Sequence, residues 1–162
     1  MIIYLAANYS RRLELCNYRE QLREAGHYVP ARWLNGSHQI SSAGTPIGDT
    51  GEALVEGDDG STSAEAIAMR NAFGLEDLQD IAEADLVICF TEPPRSGASR
   101  GGRHVELGYA IALRKRIWIV GYRENIFCWL KGMKFSETFS LAHLRSLELT
   151  WKLEDMGRKY GV

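Results

Sequence analysis

The sequence has few cysteines and no long apolar run. Three cysteines occur among the 162 residues, at Cys16, Cys89 and Cys128. An odd number of widely separated thiols supports neither a disulfide framework nor a zinc motif, and it is typical of a reducing compartment. No apolar run approaches the roughly 18 residues of a membrane span, and the chain opens on a strand-like segment without a basic leader. We therefore expect a cytoplasmic protein.

An excess of basic residues is also absent. The chain has 19 Lys and Arg against 21 Asp and Glu, which gives a formal net charge of -2 and a pI of about 6.1. A general nucleic-acid binder or a membrane-surface protein would need a positive excess. We expect a small-molecule ligand, with no nucleic-acid or membrane partner. The 162 residues fit a single domain that can bury a core without disulfides or metals.

Several ligand-binding motifs are missing. The chain contains no Gly-x-x-x-x-Gly-Lys-Ser/Thr P-loop, no dinucleotide fingerprint in its first loop, and no Gly-x-Ser-x-Gly elbow after a strand. The histidines His27, His38 and His104 lack a second ligand at the i, i+4 spacing of a metal site. We expect neither a metal nor another cofactor.

The clearest positive signal is a strand, loop, helix, strand pattern over 84–121. Apolar runs at 86–90 and 117–120 flank a polar loop and a helical segment, 103–113. Such a βαβ unit crosses right-handed and opens at the carboxyl end of the sheet, where open α/β folds bind ligands. Glu106 is expected in the first helical turn, where the helix dipole keeps a carboxylate ionised. Position alone leaves two readings, a nucleophile and an ordinary helix-start residue.

The loop before that helix is rich in donors for an anion. Glycines let a backbone approach an anion closely, and Ser hydroxyls, Arg side chains and a helix N-terminus are the usual donors to phosphate. We expect a phosphate pocket here, and a solvated polar loop is the alternative. The candidate ligand-binding residues of this segment are Arg95, Ser96, Ser99, Arg100, Gly102 and Arg103.

The remaining elements alternate between strands and helices. Predicted in order are a first strand at 2–7, a helix from Arg11 to Ala25 stopped by Gly26, an edge strand at 27–34, a helix at 64–84 that Gly74 kinks or divides, and an amphipathic helix from Leu141. The Gly-rich segment 35–63 has no periodicity and is either disordered or a lid over a site. The apolar segment 126–130 is a short helix or a subunit contact.

Four features in order resemble the nucleoside 2-deoxyribosyltransferase superfamily, which includes the transferases and the 2'-deoxynucleoside 5'-monophosphate N-hydrolases. They are Ile3-Tyr4-Leu5-Ala6-Ala7, Asp77 followed by Ile81 and Asp85, Val105-Glu106-Leu107-Gly108-Tyr109-Ala110, and Asn125-Ile126-Phe127. The match covers most of residues 1–130. The Glu-Leu-Gly-Tyr-Ala motif is fairly specific when the spaced aspartates accompany it.

The resemblance implies a fold, an assembly and an activity. The expected fold is a flavodoxin-like, Rossmann-like three-layer sandwich with a mostly parallel sheet of about five strands, in a homo-oligomer. The expected activity is cleavage of an N-glycosidic bond, with Glu106 as nucleophile, Asp77 as the acid for the base, and Tyr4 beside the nucleophile. Asn8 and His38 are added as candidate substrate-binding residues, and Asn125 matches an asparagine that a neighbouring subunit lends to the sugar.

One position departs from the family pattern. Transferases usually carry Asp six residues before the glutamate and the hydrolases often carry Ser, whereas this chain has Arg100, with Ser99 just before it. The basic and hydroxyl side chains of this loop favour a 5'-phosphorylated substrate. We expect cleavage of a 2'-deoxyribonucleoside or its 5'-monophosphate through a covalent deoxyribosyl intermediate. The alternative is a nucleotide-binding module of Rossmann-like fold without turnover.

Overall fold

The computed structural model of the chain describes residues 1–36, 64–94 and 101–160. These residues form four strands, β1 (Ile3–Ala6), β2 (Leu86–Phe90), β3 (Arg116–Val120) and β4 (Lys134–Ser136). They also form four α-helices, α1 (Arg12–Glu24), α2 (Ala64–Glu83), α3 (Gly102–Ala112) and α4 (Leu141–Tyr160). Short 3-10 helices lie at Tyr9–Arg11, Arg32–Asn35 and Ile126–Trp129.

The four strands form one parallel sheet in the order β1-β2-β3-β4. Tyr4 pairs with Val87, and Ile88 pairs with Trp118. Every residue of β1 and β2 is buried, which is the pattern of parallel strands with helices on both faces. The predicted α/β class with a parallel sheet is confirmed.

The predicted edge strand at 27–34 does not form, so the described sheet has four strands rather than five. A single parallel bridge between Ile2 and Tyr28 stands in its place. Pro30 has no N–H to donate to a ladder, and the chain then turns into the 3-10 helix Arg32–Asn35. The indole Nε1 of Trp33 donates to the carbonyl of Leu5 at 2.9 Å, so a side chain satisfies a backbone acceptor of β1.

Helices cover both faces of the sheet. On one face, α1 and α4 meet the strands through stacked and tilted aromatic rings. These are Tyr18, Phe90, Trp118, Phe139 and His143, with ring centroids 4.5 to 6.0 Å apart. On the other face, α2 packs against α3, and α3 contacts β1, β2 and β3. Because side chains alternate along a strand, Tyr4 and Leu5 face opposite layers.

Helix α2 is continuous, and Gly74 does not divide it. Burial differs between its two ends, since Ile67 is 55% exposed while Ile81 is fully buried. Gly26 ends the first helical region with φ +88°, as predicted. The three-residue strand β4 escaped prediction because Lys134, Phe135 and Ser136 are only half-buried and show no apolar run. In the described ranges, no helix is both long and apolar enough to cross a membrane.

Candidate active site

A short hydrogen bond joins the first strand to the helix that carries Glu106. The Tyr4 phenol, fully buried in β1, donates to Glu106 Oε1 at 2.6 Å. The second carboxylate oxygen, Oε2, is buried and has no hydrogen-bond partner among the residues that the structure describes. One oxygen of Glu106 is therefore held by Tyr4, and the other keeps its lone pairs available.

The expected position of Glu106 in the first helical turn is wrong. Helix α3 begins at Gly102, so Glu106 is its fifth residue, and the first turn contains no acidic residue. The effect of the helix dipole falls off within the first turn, so it does not hold this carboxylate ionised. Burial instead raises the pKa of Glu106 to about 8, and the nearby Asp77 also raises it, while the Tyr4 hydrogen bond and the Arg103 charge lower it.

Asp77 lies in α2 near the same phenol. Burial raises the pKa of Asp77 to about 7, with smaller raising contributions from Asp80 and Glu76, while the Tyr4 phenol and the charge of Arg32 lower it. The structure thus brings together the three residues for which sequence predicted catalytic roles. At pH 7 the two carboxyls retain at least one proton between them.

Tyr4 links the two carboxyls electrostatically. Its phenol donates to Glu106, and the charge of Asp77 acts on both the phenol and Glu106. Burial together with the two neighbouring carboxylates also raises the pKa of the Tyr4 phenol well above its usual value. Among the described residues, the site is acidic and buried.

Asp80, one turn after Asp77 in α2, has a structural role. Its carboxylate accepts the backbone N–H of Arg32 at 2.9 Å and the Arg32 Nε at 2.9 Å. These bonds fix the start of the 3-10 helix Arg32–Asn35 against α2. The sequence alone does not distinguish the roles of Asp77 and Asp80. Their different partners in the folded chain do.

Arg103, predicted to bind substrate, has its guanidinium in the interior. Its side chain is 2% exposed and forms an ion pair with Glu124, with 2.6 Å between Nη2 and Oε2. Its Nε and Nη2 groups are therefore engaged within the protein. Glu124 was missed in the sequence. The sequence signal for Glu124 was its position shortly after β3, because ligands bind at the carboxyl ends of parallel strands.

The other described candidates have local roles. Asn8 accepts the backbone N–H of Ser10 at 3.3 Å and caps the 3-10 helix Tyr9–Arg11. Asn125 accepts the backbone N–H of Phe127 at 2.9 Å and caps the next such helix along the chain, at Ile126–Trp129. Gly102 is the first residue of α3 and is exposed. Their contacts with substrate stay predictions.

Five predicted ligand-binding residues lie outside the described residues, together with nearly all of the 35–63 segment. They are His38, Arg95, Ser96, Ser99 and Arg100. The phosphate pocket proposed for the loop before α3 therefore also stays a prediction.

Similarity to known proteins is weak. No protein-family model matches the chain, and no curated protein matches it. A solved structure, the CMP N-glycosidase BcmB from Clostridium botulinum, is similar over 91% of this chain and 98% of its own, with 20% sequence identity and a TM-score of 0.48. A likeness at this level assigns no activity, so the chemistry of the site depends on the contacts described above.

An apolar groove of about 460 Å³ lies on another flank of α3. Its lining residues are His104, Leu107, Gly108, Ile111, Asn125 and Phe127. Glu106 is not among them. Next to the groove, Ile126 is 78% exposed and Trp129 is 68% exposed. The subunit contact predicted for segment 126–130 stays a prediction, with the added observation that these side chains are uncovered in the single chain.

The described residues contain no group of three or more His, Cys, Asp or Glu side chains that could hold a metal ion. What converges instead is an acidic pair around a phenol. A buried carboxylate with one unbonded oxygen can attack a carbon, and a neighbouring carboxyl that keeps its proton near neutral pH can protonate a leaving group. Such an arrangement can cleave a glycosidic bond.

Proposed function

We propose that the protein cleaves the N-glycosidic bond of a 2'-deoxyribonucleoside or its 5'-monophosphate, with Glu106 as the nucleophile and Asp77 as the acid. The observation that carries this proposal is the Tyr4 hydrogen bond to Glu106 Oε1 at 2.6 Å, which leaves Oε2 free, together with the Asp77 carboxyl near the same phenol. The sequence motifs that resemble the deoxyribosyltransferases supply the substrate class.

The surroundings of the two carboxyls support a division of roles. A phenol has a single O–H, and Tyr4 donates it to Glu106, which favours the ionised form of that carboxyl. Asp77 is buried near Asp80 and Glu76, which favours its protonated form. An ionised Glu106 and a protonated Asp77 are the pair of states that nucleophilic attack and leaving-group protonation need.

In the first step, Glu106 Oε2 forms a bond to the anomeric carbon C1' as the bond from C1' to the base nitrogen breaks. The electron pair of that bond goes to the base, and the Asp77 proton neutralises it. The transition state resembles an oxocarbenium ion, which forms more easily in a 2'-deoxy sugar because the electron-withdrawing 2'-hydroxyl is absent.

In the second step, water or another nucleobase attacks C1' and releases Glu106 as a carboxylate. Asp77, now ionised, accepts the proton of the incoming nucleophile. Such a double displacement returns the sugar with its original anomeric configuration.

An assay for free base tests the proposal. The purified protein is incubated with each 2'-deoxynucleoside, each 5'-monophosphate and CMP, the nucleotide named for the similar solved structure, with and without an acceptor base. We expect base release from 2'-deoxy substrates, faster with a 5'-phosphate. Release from ribonucleotides alone would refute the deoxyribosyl substrate. Binding without release from any substrate would favour the non-catalytic alternative.

A further inference from the structure

A second buried charge cluster lies one helical turn before Glu106 in α3. Arg103 Nε donates to Glu124 Oε1 at 3.2 Å, and Arg103 Nη2 donates to Glu124 Oε2 at 2.6 Å. The exposed fraction is 2% for the Arg103 side chain and 8% for that of Glu124. A two-point contact of this kind fixes the plane of the guanidinium.

Glu124 is itself fixed by neighbours from two other segments. It accepts the backbone N–H of Glu92, in the loop after β2, at 3.2 Å. His104 Nε2 lies 3.2 Å from its Oε1. The loops after β2 and β3 are also joined by Thr91 Oγ1, which accepts the Tyr122 N–H at 2.6 Å. Glu124 therefore ties the carboxyl ends of two strands to the start of α3.

The remaining nitrogen of the Arg103 guanidinium is not used by this network. Nη1 is buried without a hydrogen-bond partner, 4.0 Å from Glu92 Oε1. The Arg103 charge nevertheless acts on Glu106, because it lowers the pKa of that carboxyl against the raising effect of burial. A buried ion pair is weak evidence for stability, since the desolvation of both charges offsets their attraction.

We propose that Arg103 and Glu124 form a positioning pair for Glu106, in which Glu124 fixes the guanidinium and the guanidinium places a buried positive charge one helical turn from the nucleophile. The inference rests on the proposed function, because it takes Glu106 as the nucleophile. The groups whose charge or hydrogen bonds act on Glu106 are Tyr4 from β1, Asp77 from α2 and Arg103 from α3. The acidic and imidazole groups near Arg103 are Glu92, Glu124 and His104.

Substitutions on the two sides of the pair have opposite electrostatic effects on Glu106. Arg103→Met removes the positive charge, so the ionised form of Glu106 is less stable and its titration moves up by about one pH unit. Glu124→Gln removes a negative charge and leaves Arg103 uncompensated, so the titration moves down by roughly half a unit. Arg103→Lys keeps the charge and should restore most of the wild-type titration.

The titration of Glu106 can be followed without turnover, by NMR of the protein labelled with ¹³C at the glutamate side-chain carboxyls. The Glu106→Gln variant identifies the Glu106 signal. The pH profile of base release provides the second readout, and its acid limb should move up in Arg103→Met and down in Glu124→Gln. In both variants kcat should fall about 10-fold, with KM changed less than twofold, because positioning acts on the reacting group rather than on binding.

The NMR titration tests the positioning pair independently of whether the protein catalyses the proposed reaction. If the wild-type protein releases no base, the proposed function fails, while the NMR titration still tests the positioning pair. Opposite shifts for Arg103→Met and Glu124→Gln support the pair. Shifts in the same direction, or no shift in folded variants, would overturn it and leave a purely structural clamp. If Arg103→Met does not fold, the double variant Arg103→Met/Glu124→Gln replaces it, since it leaves no unpaired buried charge, and its Glu106 titration should lie above that of Glu124→Gln alone.

Discussion

Two buried charge clusters lie within one turn of each other on α3, and they are built in opposite ways. Arg103 and Glu124 neutralise each other through two hydrogen bonds and join three segments of the chain. Around Tyr4, two carboxyls lie near one phenol, and burial raises the pKa of both. Among the described residues, one cluster is balanced in charge and the other is acidic.

The difference separates a pair that can position a neighbouring group from groups that can themselves react. In a balanced ion pair, each charge stabilises the ionised form of the other, so neither group readily changes its protonation state. Two neighbouring buried carboxyls instead hold a proton that they can release and keep an oxygen that can attack. Strong pKa perturbation in a cleft is typical of functional sites, although structural networks also perturb pKa values. The following predictions test this contrast between the two clusters.

The largest effect is expected from Glu106→Gln, which keeps the side-chain shape and removes the nucleophile. Base release should fall by about 10³-fold or more. The control is Glu137→Gln, at an exposed position outside the site, which should retain full activity. Circular dichroism and the unfolding midpoint should show that both variants fold. Activity in Glu106→Gln within about 10-fold of wild type would show that Glu106 is not the nucleophile.

Asp77→Asn should lower base release by about 10²- to 10⁴-fold, because the departing base loses its proton donor. The loss should be much smaller for a deoxyriboside with an activated leaving group that departs without a proton. The matched control is Asp80→Asn, one turn away, which weakens the contacts to Arg32. That variant should lose about 1–3 kcal/mol of unfolding free energy and keep its activity per folded molecule. Equal losses of activity with the ordinary base and with the activated leaving group would show that Asp77 is not the acid.

Tyr4→Phe should reduce kcat by about 10- to 100-fold, because the ring still packs but Glu106 loses its hydrogen-bond donor. The Tyr4 hydrogen bond lowers the pKa of Glu106, so its removal should move the acid limb of the pH-rate profile to higher pH. The profile of wild type and variant measured side by side checks this. An unchanged acid limb would mean that Tyr4 does not act on the ionisation of Glu106.

The smallest predicted effect is on stability. The pKa of Asp77 rises from 3.8 to about 7 on folding and that of Glu106 from 4.5 to about 8. The folded chain therefore binds more protons than the unfolded chain between about pH 4 and 8, and the unfolding free energy should fall as pH rises through that interval. Urea denaturation at pH values across that interval should show this fall in unfolding free energy. The double variant Asp77→Asn/Glu106→Gln should lack most of this slope, and the same slope in that variant would contradict the assignment.

Much of the scaffold follows from local sequence pattern. The apolar runs predict β1, β2 and β3 because strands buried on both faces show continuous hydrophobicity, and the helix before β3 is predicted to within one residue at each end. The structure at the sheet edge beyond β1 could not be predicted. No strand pairs there along 27–34, and the Trp33 indole instead donates a long-range hydrogen bond to the Leu5 carbonyl.

The site could be predicted only in part. Tyr4, Asp77 and Glu106 were identified through motif resemblance, and the fold brings them together. Their protonation states could not be predicted, because they depend on burial and on the exact helix start rather than on neighbours in the chain. The partner of Arg103 could not be predicted either, since Glu124 is 21 residues away in sequence and meets it only in the folded chain.

Mass spectrometry of the protein quenched during turnover, with a slowly hydrolysed 2'-fluoro-substituted deoxynucleotide analogue as substrate, tests the central claim most directly. We predict a covalent adduct of the sugar on the peptide that contains Glu106, absent from the Glu106→Gln variant. Base release from the analogue with no adduct on that peptide, accompanied by inverted anomeric configuration in the product, would contradict the account, because it would show direct attack by water.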